Sequence, residues 1–579
     1  MRYTGPEIRR PDPCKVFAVR HPSTIVQLFY ERVRTGGNRP AIHFRRAGEN
    51  RTHSWNELAI EVGRTAAGLV SLGVQPGDRV ILVSPNRYSW IVTDLAIQMA
   101  RAVHVPIHAS LSGPQIAWQI RDSGSRVVIL SGAEQAEKLA PLSRDWEEEM
   151  QVLSFDSCPE PWEHCRFRRL GDVLATVNSS AADQVMQDAV DEVGPNDLAT
   201  ILYTSGTTGE PKGVMLSQQN LASNALASVE AFAQKPDDVR LTWLPFSHIF
   251  ARTCDIYTWL TCGNQLAVAE SPEKLLDNCQ QYQPMLLNGV PYFFEKVMRK
   301  LHEEGRDDVP GALQEQFGGR LRSGISGGAP LPESVATYYQ QRGVNLVQGY
   351  GLTETSPVIT TETPSAKKLG TVGRPIGTVE VKIAEDGEIL TRGPHVMLGY
   401  WKNPEATADA LRSGWFHTGD VGTLDSDGFL KITGRKKELI VTSGGKNIAP
   451  SYLESLIKGD PLVAQVIVIG DGRNFLTALV VPDFKVLQAA SAKFDYHWQG
   501  EQAAAEDPRV RKVFADRIAQ RLLTVSRYEQ IGSFTLLDKP FSVDAGELTP
   551  TLKLRRNVIA EHFADVINAM YDVKHEPAM

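Results

Sequence analysis

Residues 203–213 read YTSGTTGEPKG, a stretch in which hydroxyl side chains and a lysine alternate with glycines. Glycine loses more conformational entropy on folding than other residues, so a cluster of glycines favours a sharp turn or a close approach of the backbone to a ligand. The apolar runs ATILYT before the stretch and VML after it predict strands on both sides. We therefore expect a glycine-rich loop between two strands, and the alternative is an exposed turn that binds nothing.

The chemistry of this loop suits phosphate. Common nucleotidases use G-x-x-x-x-G-K-[ST] running straight into a helix, whereas here Lys212 is followed by Gly213 and apolar residues, and a helical pattern begins only after Ser217, a predicted N-cap. We expect backbone N–H groups, the Lys212 ammonium and four hydroxyls to contact phosphate. The hydroxyls belong to Thr204, Ser205, Thr207 and Thr208.

Length and composition limit the possible classes of protein. The chain has 579 residues, 42% of them apolar, which predicts two or more domains. A formal net charge of −7 gives no field that attracts a polyanion, so no nucleic-acid partner is expected. The cysteines form no C-x-x-C pair, and the N-terminus lacks the apolar core of a signal peptide. We expect a cytoplasmic protein, and peripheral contact with a membrane stays open.

Alternation of helical patterns with short apolar runs predicts an α/β fold with much parallel sheet. The strand-like runs are VILVSP near residue 80, RVVILSG near 126, ATILYT before the glycine-rich loop and LVQGYG near 346. Residues 151–190 carry prolines and interspersed charges, and we expect an irregular surface connection there.

The pattern of predicted secondary structure changes after residue 371. Short strand-like runs are broken by turns, and the Asp-Gly pairs at 386–387 and 427–428 predict hairpins. Beyond residue 440, VAQVIVIG and FLTALVVP predict strands, and a helix follows in which apolar residues recur at helical spacing. Those apolar residues are Val510, Val513, Phe514 and Ile518. We place a domain boundary near Lys437.

Five motifs occur in one order: YTSGTTGEPKG, QGYGLTETSP at 348–357, GWFHTGD at 414–420, GRKKELIVTSGGKNIAP at 434–450 and ELTPTLKLRR at 547–556. Together they closely resemble the adenylate-forming, AMP-producing acyl-CoA synthetases, and within these the long-chain fatty acid CoA ligases. The resemblance runs from about residue 25 to the C-terminus. It implies a large N-terminal domain, residues 1–434, of stacked α/β subdomains with a β-rich, barrel-like module over about 371–434. A smaller, mobile α+β C-terminal domain, residues 435–579, would follow a hinge near Lys437.

The resemblance implies a reaction in two steps. The carboxylate of an acid, here a medium- to long-chain fatty acid, attacks the α-phosphate of ATP and expels pyrophosphate, and the thiol of coenzyme A then displaces AMP. The attacking group is already an anion, so the first step needs positive charge and oriented N–H donors instead of a general base. The alternatives are an acyl-AMP ligase that loads a carrier-protein thiol, a ligase for an aryl or other acid, and a nucleotide-binding module without activity.

The resemblance also assigns roles to single residues. The candidate catalytic residues are Lys553, between the carboxylate and the α-phosphate, His248, near the adenylate carbonyl, and the pair Thr204 and Glu354. This pair would hold Mg²⁺, which prefers oxygen ligands and shares them with phosphate and water. Residues expected around ATP or AMP are Thr204, Ser205, Gly206, Thr207, Thr208, Gly209, Lys212, Gly327, Gly328, Ala329, Gln348, Gly349, Tyr350, Gly351, Thr353, Asp420, Ile432, Arg435 and Lys553.

The sequence says less about where coenzyme A and the acyl chain bind. Glycines let a pantetheine arm pass close to the backbone, and the residues expected along the coenzyme A path are Lys437, Gly444, Gly445 and Lys446. The residues expected at the acyl pocket are His248, Phe250, Tyr292 and Gly324, although core packing is the commoner role for any single aromatic residue and ordinary structure is the commoner role for a lone histidine. The sequence leaves open the length of the acyl chain and whether the protein is a monomer or a homodimer.

Overall fold

The computed structural model of the protein describes residues 23–146, 150–158, 162, 165–204, 211–443, 447–548 and 554–572. The helices, in chain order, are α1 Ile25–Gly36, α2 Trp55–Ser71, α3 Tyr88–Met99, α4 Gly113–Ser123, α5 Ala133–Leu139, α6 Leu170–Ala175, α7 Ser179–Glu192, α8 Gln218–Ala231, α9 Ile249–Ala251, α10 Thr258–Cys262, α11 Leu275–Tyr282, α12 Pro291–Glu303, α13 Ala312–Gln316, α14 Glu333–Gln341, α15 Pro404–Ala410, α16 Pro450–Lys458, α17 Phe484–Ala490, α18 Glu501–Glu506, α19 Pro508–Arg521, α20 Arg556–His562 and α21 Ala564–Asp572. A π-helical turn, Arg252–Tyr257, joins α9 to α10.

The strands, in chain order, are β1 Pro40–Arg46, β2 Glu49–Ser54, β3 Arg79–Val83, β4 Val103–Ile107, β5 Val127–Leu130, β6 Gln151–Ser154, β7 Arg166–Arg169, β8 Leu198–Thr204, β9 Lys212–Ser217, β10 Val239–Thr242, β11 Gln265–Val268, β12 Leu286–Gly289, β13 Ser323–Ser326, β14 Asn345–Gly351, β15 Val358–Thr361, β16 Arg374–Pro375, β17 Glu380–Ile383, β18 Glu388–Arg392, β19 Gly399–Tyr400, β20 Leu411–Arg412, β21 Trp415–Leu424, β22 Leu430–Arg435, β23 Ile440–Val441, β24 Asn447–Ile448, β25 Val463–Ile469, β26 Leu476–Pro482 and β27 Ile531–Leu536.

Two large sheets form the bulk of the molecule. One has the order β19-β9-β8-β4-β3-β5-β6-β7, and the other has the order β16-β15-β14-β13-β12-β10-β11-β1-β2. The central pairs of both sheets are parallel, including β3 with β4 and β5, and β12 with β13. Apolar runs such as β5 are fully buried because helices cover both faces of a parallel sheet. The prediction of an α/β fold with much parallel sheet is confirmed.

The prediction of an irregular connection over residues 151–190 is wrong. β6 and β7 extend the first sheet by parallel pairing, and α6 and α7 follow them. Ala182 and Ala189 of α7 are buried, and α7 packs so closely on α2 that a Cβ at Gly63 would lie 2.8 Å from Met186 Sδ. The charges that suggested a loop belong partly to β7, which reads RFRR and lies at the edge of the sheet, where charged side chains are tolerated.

A smaller antiparallel sheet follows, made of β17, β18, β20, β21 and β22. Its β17–β18 and β21–β22 hairpins turn through Gly387 and Gly428, whose φ values are +82° and +80°. The hairpins predicted from the two Asp-Gly pairs are therefore confirmed. We call residues 371–435 the β-rich module.

The residues after 440 form a hydrophobic core of their own. It is built on the β25-β26-β27 sheet and on α16 and α19. Val510, Phe514 and Ile518 are buried along one face of α19, as their spacing predicts, and Val513 is partly buried beside them. Among the described residues, every helix is too short or too polar to cross a membrane.

Candidate active site

The glycine-rich loop joins the antiparallel strands β8 and β9, as predicted. Thr204 ends β8 opposite Lys212, which begins β9, and Thr204 Oγ1 donates to the Lys212 carbonyl at 3.4 Å. Ser217 caps α8 by accepting from the backbone N–H of Asn220, so the predicted N-cap is also confirmed. The loop residues Ser205, Gly206, Thr207, Thr208 and Gly209 lie outside the described residues.

Tyr400 connects this hairpin to the second sheet. Its backbone pairs with Val214 of β9, so β19 is the edge strand next to the hairpin. The Lys212 ammonium lies 5.0 Å from the centroid of the Tyr400 ring, and the Tyr400 hydroxyl donates to Glu354 Oε1 at 2.9 Å. The Met397 N–H also donates to the Glu354 carbonyl at 2.9 Å. Lys212, which the sequence predicts at the phosphates, and Glu354, which it predicts at the metal, therefore both contact Tyr400.

A tight turn after β14 presents Glu354, which lies in the short 3-10 helix Thr353–Thr355. A Cβ at Gly351 would lie 1.7 Å from the carbonyl oxygen of Pro357, so the turn requires glycine at this position. Thr355 Oγ1 donates to the same Pro357 oxygen at 2.6 Å. The backbone of the QGYGLTETSP motif therefore fixes the position from which the Glu354 side chain extends.

The side chains of the two predicted metal ligands fit magnesium. Glu354 carries a carboxylate and Thr204 a hydroxyl, and Mg²⁺ prefers oxygen donors of this kind. In the described part of the chain, no three or more His, Cys, Asp and Glu side chains are grouped so as to hold a metal ion. Mg²⁺ commonly takes one or two protein ligands and completes its shell with phosphate oxygens and water. These residues therefore suit an ion that arrives with a phosphorylated substrate.

The buried carboxylate of Asp420 is held from two sides. Tyr350 donates its hydroxyl to Oδ2 at 2.6 Å, and Arg435 Nε donates to Oδ1 at 2.9 Å. Burial raises the pKa of Asp420 above its ordinary value, although Arg435 and Tyr350 oppose this rise. Burial also raises the pKa of Tyr350, so its hydroxyl stays a donor. Ile432 packs with Tyr350 in one small apolar cluster of the β-rich module.

The turn at the end of β13, which reads SGGAP over residues 326–330 and is called the SGGAP turn, includes three predicted nucleotide-binding residues. Gly328 has a φ of +80°, and a Cβ at Gly327 would lie 2.9 Å from Phe250 Cζ. Ala329 is exposed. The side chain of Gln348 holds the neighbouring segments, because it accepts from the Leu331 N–H at 2.8 Å and donates to the Thr371 carbonyl at 3.0 Å.

The four residues predicted at the acyl pocket have different surroundings. His248 caps α9, and its Nδ1 accepts from the Phe250 N–H at 3.2 Å. Phe250 is partly buried against the Gly327 backbone. Gly324 is buried, and a Cβ there would lie 3.1 Å from the Phe294 ring. Tyr292 is 54% exposed on α12.

The residues on either side of Lys437 bond to different parts of the fold. Lys437 is the middle residue of the 3-10 helix Lys436–Glu438. Lys436 Nζ bonds to Asp386 of the β-rich module at 2.6 Å, whereas Glu438 lies 3.5 Å from Nε of Arg556 on α20. Lys437 therefore separates a residue tied to the preceding module from one tied to the following core. Gly444, Gly445, Lys446 and Lys553 lie outside the described residues.

A buried polar network behind the site was not foreseen from the sequence. Arg252 of the π-helical turn donates to Asp94 Oδ1 at 2.6 Å and to Thr200 Oγ1 at 2.7 Å, and His104 Nδ1 lies 2.6 Å from the same Asp94 oxygen. Burial and the Arg252 charge lower the pKa of His104 to about 4. Thr200 lies on β8, so the network links the turn after His248 to the strand that carries Thr204.

Sequence reasoning also missed Tyr400. The motif VMLGYW around it has no chemical signature, and only the pairing of β19 with β9 places its hydroxyl on Glu354.

Comparisons with known proteins agree with this arrangement. Residues 29–401 match the AMP-binding enzyme family, and residues 437–575 match the AMP-binding enzyme C-terminal domain. Long-chain-fatty-acid–CoA ligase FadD15 of Mycobacterium tuberculosis is 34% identical over 565 residues, which cover 89% of this chain and 92% of that protein.

Two solved structures are similar over nearly the whole chain. Fatty acyl CoA synthetase of Mycobacterium tuberculosis is 25% identical with a TM-score of 0.66, and it covers 94% of this chain and 99% of its own. ATP-bound MatB from Rhodopseudomonas palustris is 26% identical with a TM-score of 0.73 and the same coverage. The resemblance drawn from the five motifs is confirmed, and the chain belongs to the AMP-binding enzyme family.

Proposed function

We propose that this enzyme activates a medium- to long-chain fatty acid with ATP to an acyl-adenylate, releasing pyrophosphate, and transfers the acyl group to coenzyme A, releasing AMP. The observation that carries the proposal is the meeting of Lys212 and Glu354 on Tyr400, where the glycine-rich hairpin reaches the second sheet. The choice of acid is supported by FadD15, which is named a long-chain-fatty-acid–CoA ligase and aligns along 89% of this chain.

The first step brings two anions together, so the task of the protein is to reduce their repulsion. The Lys212 ammonium, at the end of the loop, is proposed to hold the outer phosphates together with the loop backbone. Thr204 and Glu354 are proposed to hold Mg²⁺, which supplies further positive charge when it is bound. Lys553 is proposed, from its motif alone, to lie between the carboxylate and the α-phosphate.

The nucleoside is proposed to bind at the β-rich module. A carboxylate offers about four lone-pair positions, so Asp420 keeps acceptor capacity for the ribose hydroxyls beyond its bonds to Tyr350 and Arg435. The Tyr350 ring offers a flat face for adenine, and the SGGAP turn offers backbone on the other side. Thr353 and the glycines of QGYGLTETSP are proposed to lie along the phosphates.

The second step is proposed to need a rotation about Lys437 that withdraws Lys553 and brings the GGKN segment to the thiol path. The change of partners between Lys436 and Glu438 supports a pivot at this position. His248, Phe250 and Gly324 are proposed to border the acyl chain, with Tyr292 nearer to solvent. The contact of Phe250 with Gly327 supports an acyl wall that adjoins the nucleotide.

Acid-dependent ATP–pyrophosphate exchange tests the first step. Saturated acids of graded length are compared with acetate and benzoate, and we expect the highest kcat/KM for medium or long chains. A preference for benzoate or acetate would refute the fatty-acid assignment, and no exchange with any acid would refute adenylation. Release of AMP that depends on coenzyme A, compared with loading of a phosphopantetheinylated carrier protein, distinguishes the proposed acceptor from a carrier.

A further inference from the structure

We propose that Tyr400 is a positioning residue that holds the Glu354 carboxylate through its hydroxyl and keeps the Lys212 ammonium away from that carboxylate through its ring. The inference rests on the proposed function, in which Glu354 serves Mg²⁺ and Lys212 serves the phosphates of ATP. Tyr400 would then keep the Lys212 ammonium and the Glu354 carboxylate in the same region without a direct ion pair between them.

The hydroxyl end orients the carboxylate. Its bond to Glu354 Oε1 at 2.9 Å has an ionised acceptor, and such bonds are stronger than bonds between neutral groups. Engaging one oxygen restricts rotation of the carboxylate and leaves the other oxygen of the same group in a defined direction.

The ring end separates the charges. The Lys212 ammonium lies 5.0 Å from the ring centroid, within the range of a cation–π contact. A direct ion pair between the two groups would occupy the N–H donors and the carboxylate oxygens that their substrate groups need, and the ring is proposed to prevent such a pair. The tyrosine ring keeps Lys212 near Glu354 while both charges stay open to a ligand.

Backbone hydrogen bonds hold Tyr400 and its neighbour Trp401, so the position of the Tyr400 backbone is defined. The Trp401 N–H donates to the Gly213 carbonyl at 2.7 Å, and the Tyr400 N–H donates to Thr407 Oγ1 at 2.8 Å. Tyr400 itself pairs with Val214 of β9. Lys212 and Tyr400 therefore share one strand pair, and their contact does not depend on a long flexible segment.

Two substitutions separate the two ends. Tyr400→Phe removes the hydroxyl and keeps the ring, and Tyr400→Leu removes both. Tyr338→Phe is the matched control, because Tyr338 donates to Asp307 Oδ1 at the same 2.9 Å but belongs to α14, away from the proposed metal and phosphate residues.

Calorimetry measures the binding of metal-free ATP and of Mg²⁺ with a non-hydrolysable ATP analogue, and pyrophosphate exchange is followed across Mg²⁺ concentrations. We expect Tyr400→Phe to weaken Mg²⁺ binding about tenfold with little change for metal-free ATP, and Tyr400→Leu to weaken both about tenfold. Tyr338→Phe should match the wild type in both titrations.

Unchanged Mg²⁺ binding in Tyr400→Phe would overturn the role of the hydroxyl, and identical behaviour of the two variants would overturn the role of the ring. If Tyr400→Leu does not fold, Tyr400→Met replaces it and is judged in the same way. A wild-type protein that binds Mg²⁺ and ATP but shows no acid-dependent exchange would refute the proposed function, while the binding titrations would still decide the role of Tyr400.

Discussion

Arg435 and Asp420 face each other across the β21–β22 pair, with Arg435 Nε donating to Asp420 Oδ1 at 2.9 Å. The side chain of Asp420 is 6% exposed, whereas that of Arg435 is 45% exposed. Strand register therefore places a buried carboxylate beneath a cation that reaches solvent. Because the Tyr350 hydroxyl holds the second oxygen, both oxygens of the carboxylate are oriented by hydrogen bonds.

Replacing Asp420 by asparagine should weaken ATP binding with little change in shape. Hydrogen bonds to charged groups are worth about 1.5 to 3 kcal/mol, so we expect the KM for ATP in pyrophosphate exchange to rise roughly 10- to 100-fold. The control is Glu380→Gln, because Glu380 forms an exposed ion pair with Arg392 in the same sheet. An unchanged KM for ATP in Asp420→Asn would contradict the assignment to ribose.

Gly351→Ala should strongly lower activity through a change in the backbone. The added Cβ would lie 1.7 Å from the Pro357 carbonyl oxygen, so the turn that presents Glu354 must shift. Gly171→Ala is the matched control, since a Cβ at this position in α6 meets nothing within 4 Å. We expect exchange to fall at least about 100-fold in Gly351→Ala and melting temperature to stay equal or rise slightly in Gly171→Ala. Wild-type exchange in Gly351→Ala would show that Glu354 does not depend on this turn.

The sequence predicts the parts of the fold that depend on local pattern. Strand runs such as β3 and β14, the cap at Ser217 and the Asp-Gly hairpins are local, and the structure has them. The connection over 151–190 was mispredicted because β7 is an edge strand whose charges mask its pairing. Tyr400 and the Asp94–Arg252 contact join residues far apart in the chain, and such pairs follow only from topology.

The buried pair of Asp94 and Arg252 should be needed for stability. Removing one partner leaves an uncompensated buried charge, which typically costs about 3 to 5 kcal/mol, so Asp94→Asn and Arg252→Met should each lower the melting temperature by several degrees. Lys512→Met is the control, because the Lys512–Asp516 pair on α19 is exposed and such pairs contribute about 1 kcal/mol or less. Calorimetry of the three variants makes the comparison. Equal melting temperatures for Arg252→Met and Lys512→Met would contradict it.

Acid should destabilise the protein through His104. Its pKa is about 4 in the folded state and near 6.5 when unfolded, so the unfolded state binds more protons as the pH falls from 6.5 towards 4. The free energy of unfolding is therefore unaffected by His104 above pH 6.5. It falls as the pH drops from 6.5 towards 4, and His104 accounts for a loss on the order of 3 kcal/mol. Arg252 and His104 lower the pKa of Asp94 despite its burial, so protonation of Asp94 adds to the loss at still lower pH.

Melting temperatures measured from pH 7.5 to 4.5 check this dependence. His104→Gln should give a flatter curve than the wild type, because it removes one titrating group while keeping polar atoms in the network. His395, whose pKa burial also lowers to about 4, keeps part of the slope in that variant. The same slope in His104→Gln and in the wild type would show that His104 does not titrate in this window.

Lys553→Gln should separate the two half-reactions. Lys553 lies in the ELTPTLKLRR motif, and its proposed charge acts only where the carboxylate meets the α-phosphate, so its loss should lower pyrophosphate exchange by about 10²- to 10³-fold or more. ATP binding and transfer from a preformed acyl-adenylate to coenzyme A should persist, because neither needs that charge. Lys539→Gln, an exposed lysine of the same C-terminal region, serves as the control. Exchange at the wild-type rate in Lys553→Gln would place the activating charge elsewhere, and equal loss of both half-reactions would indicate a structural defect instead of a catalytic one.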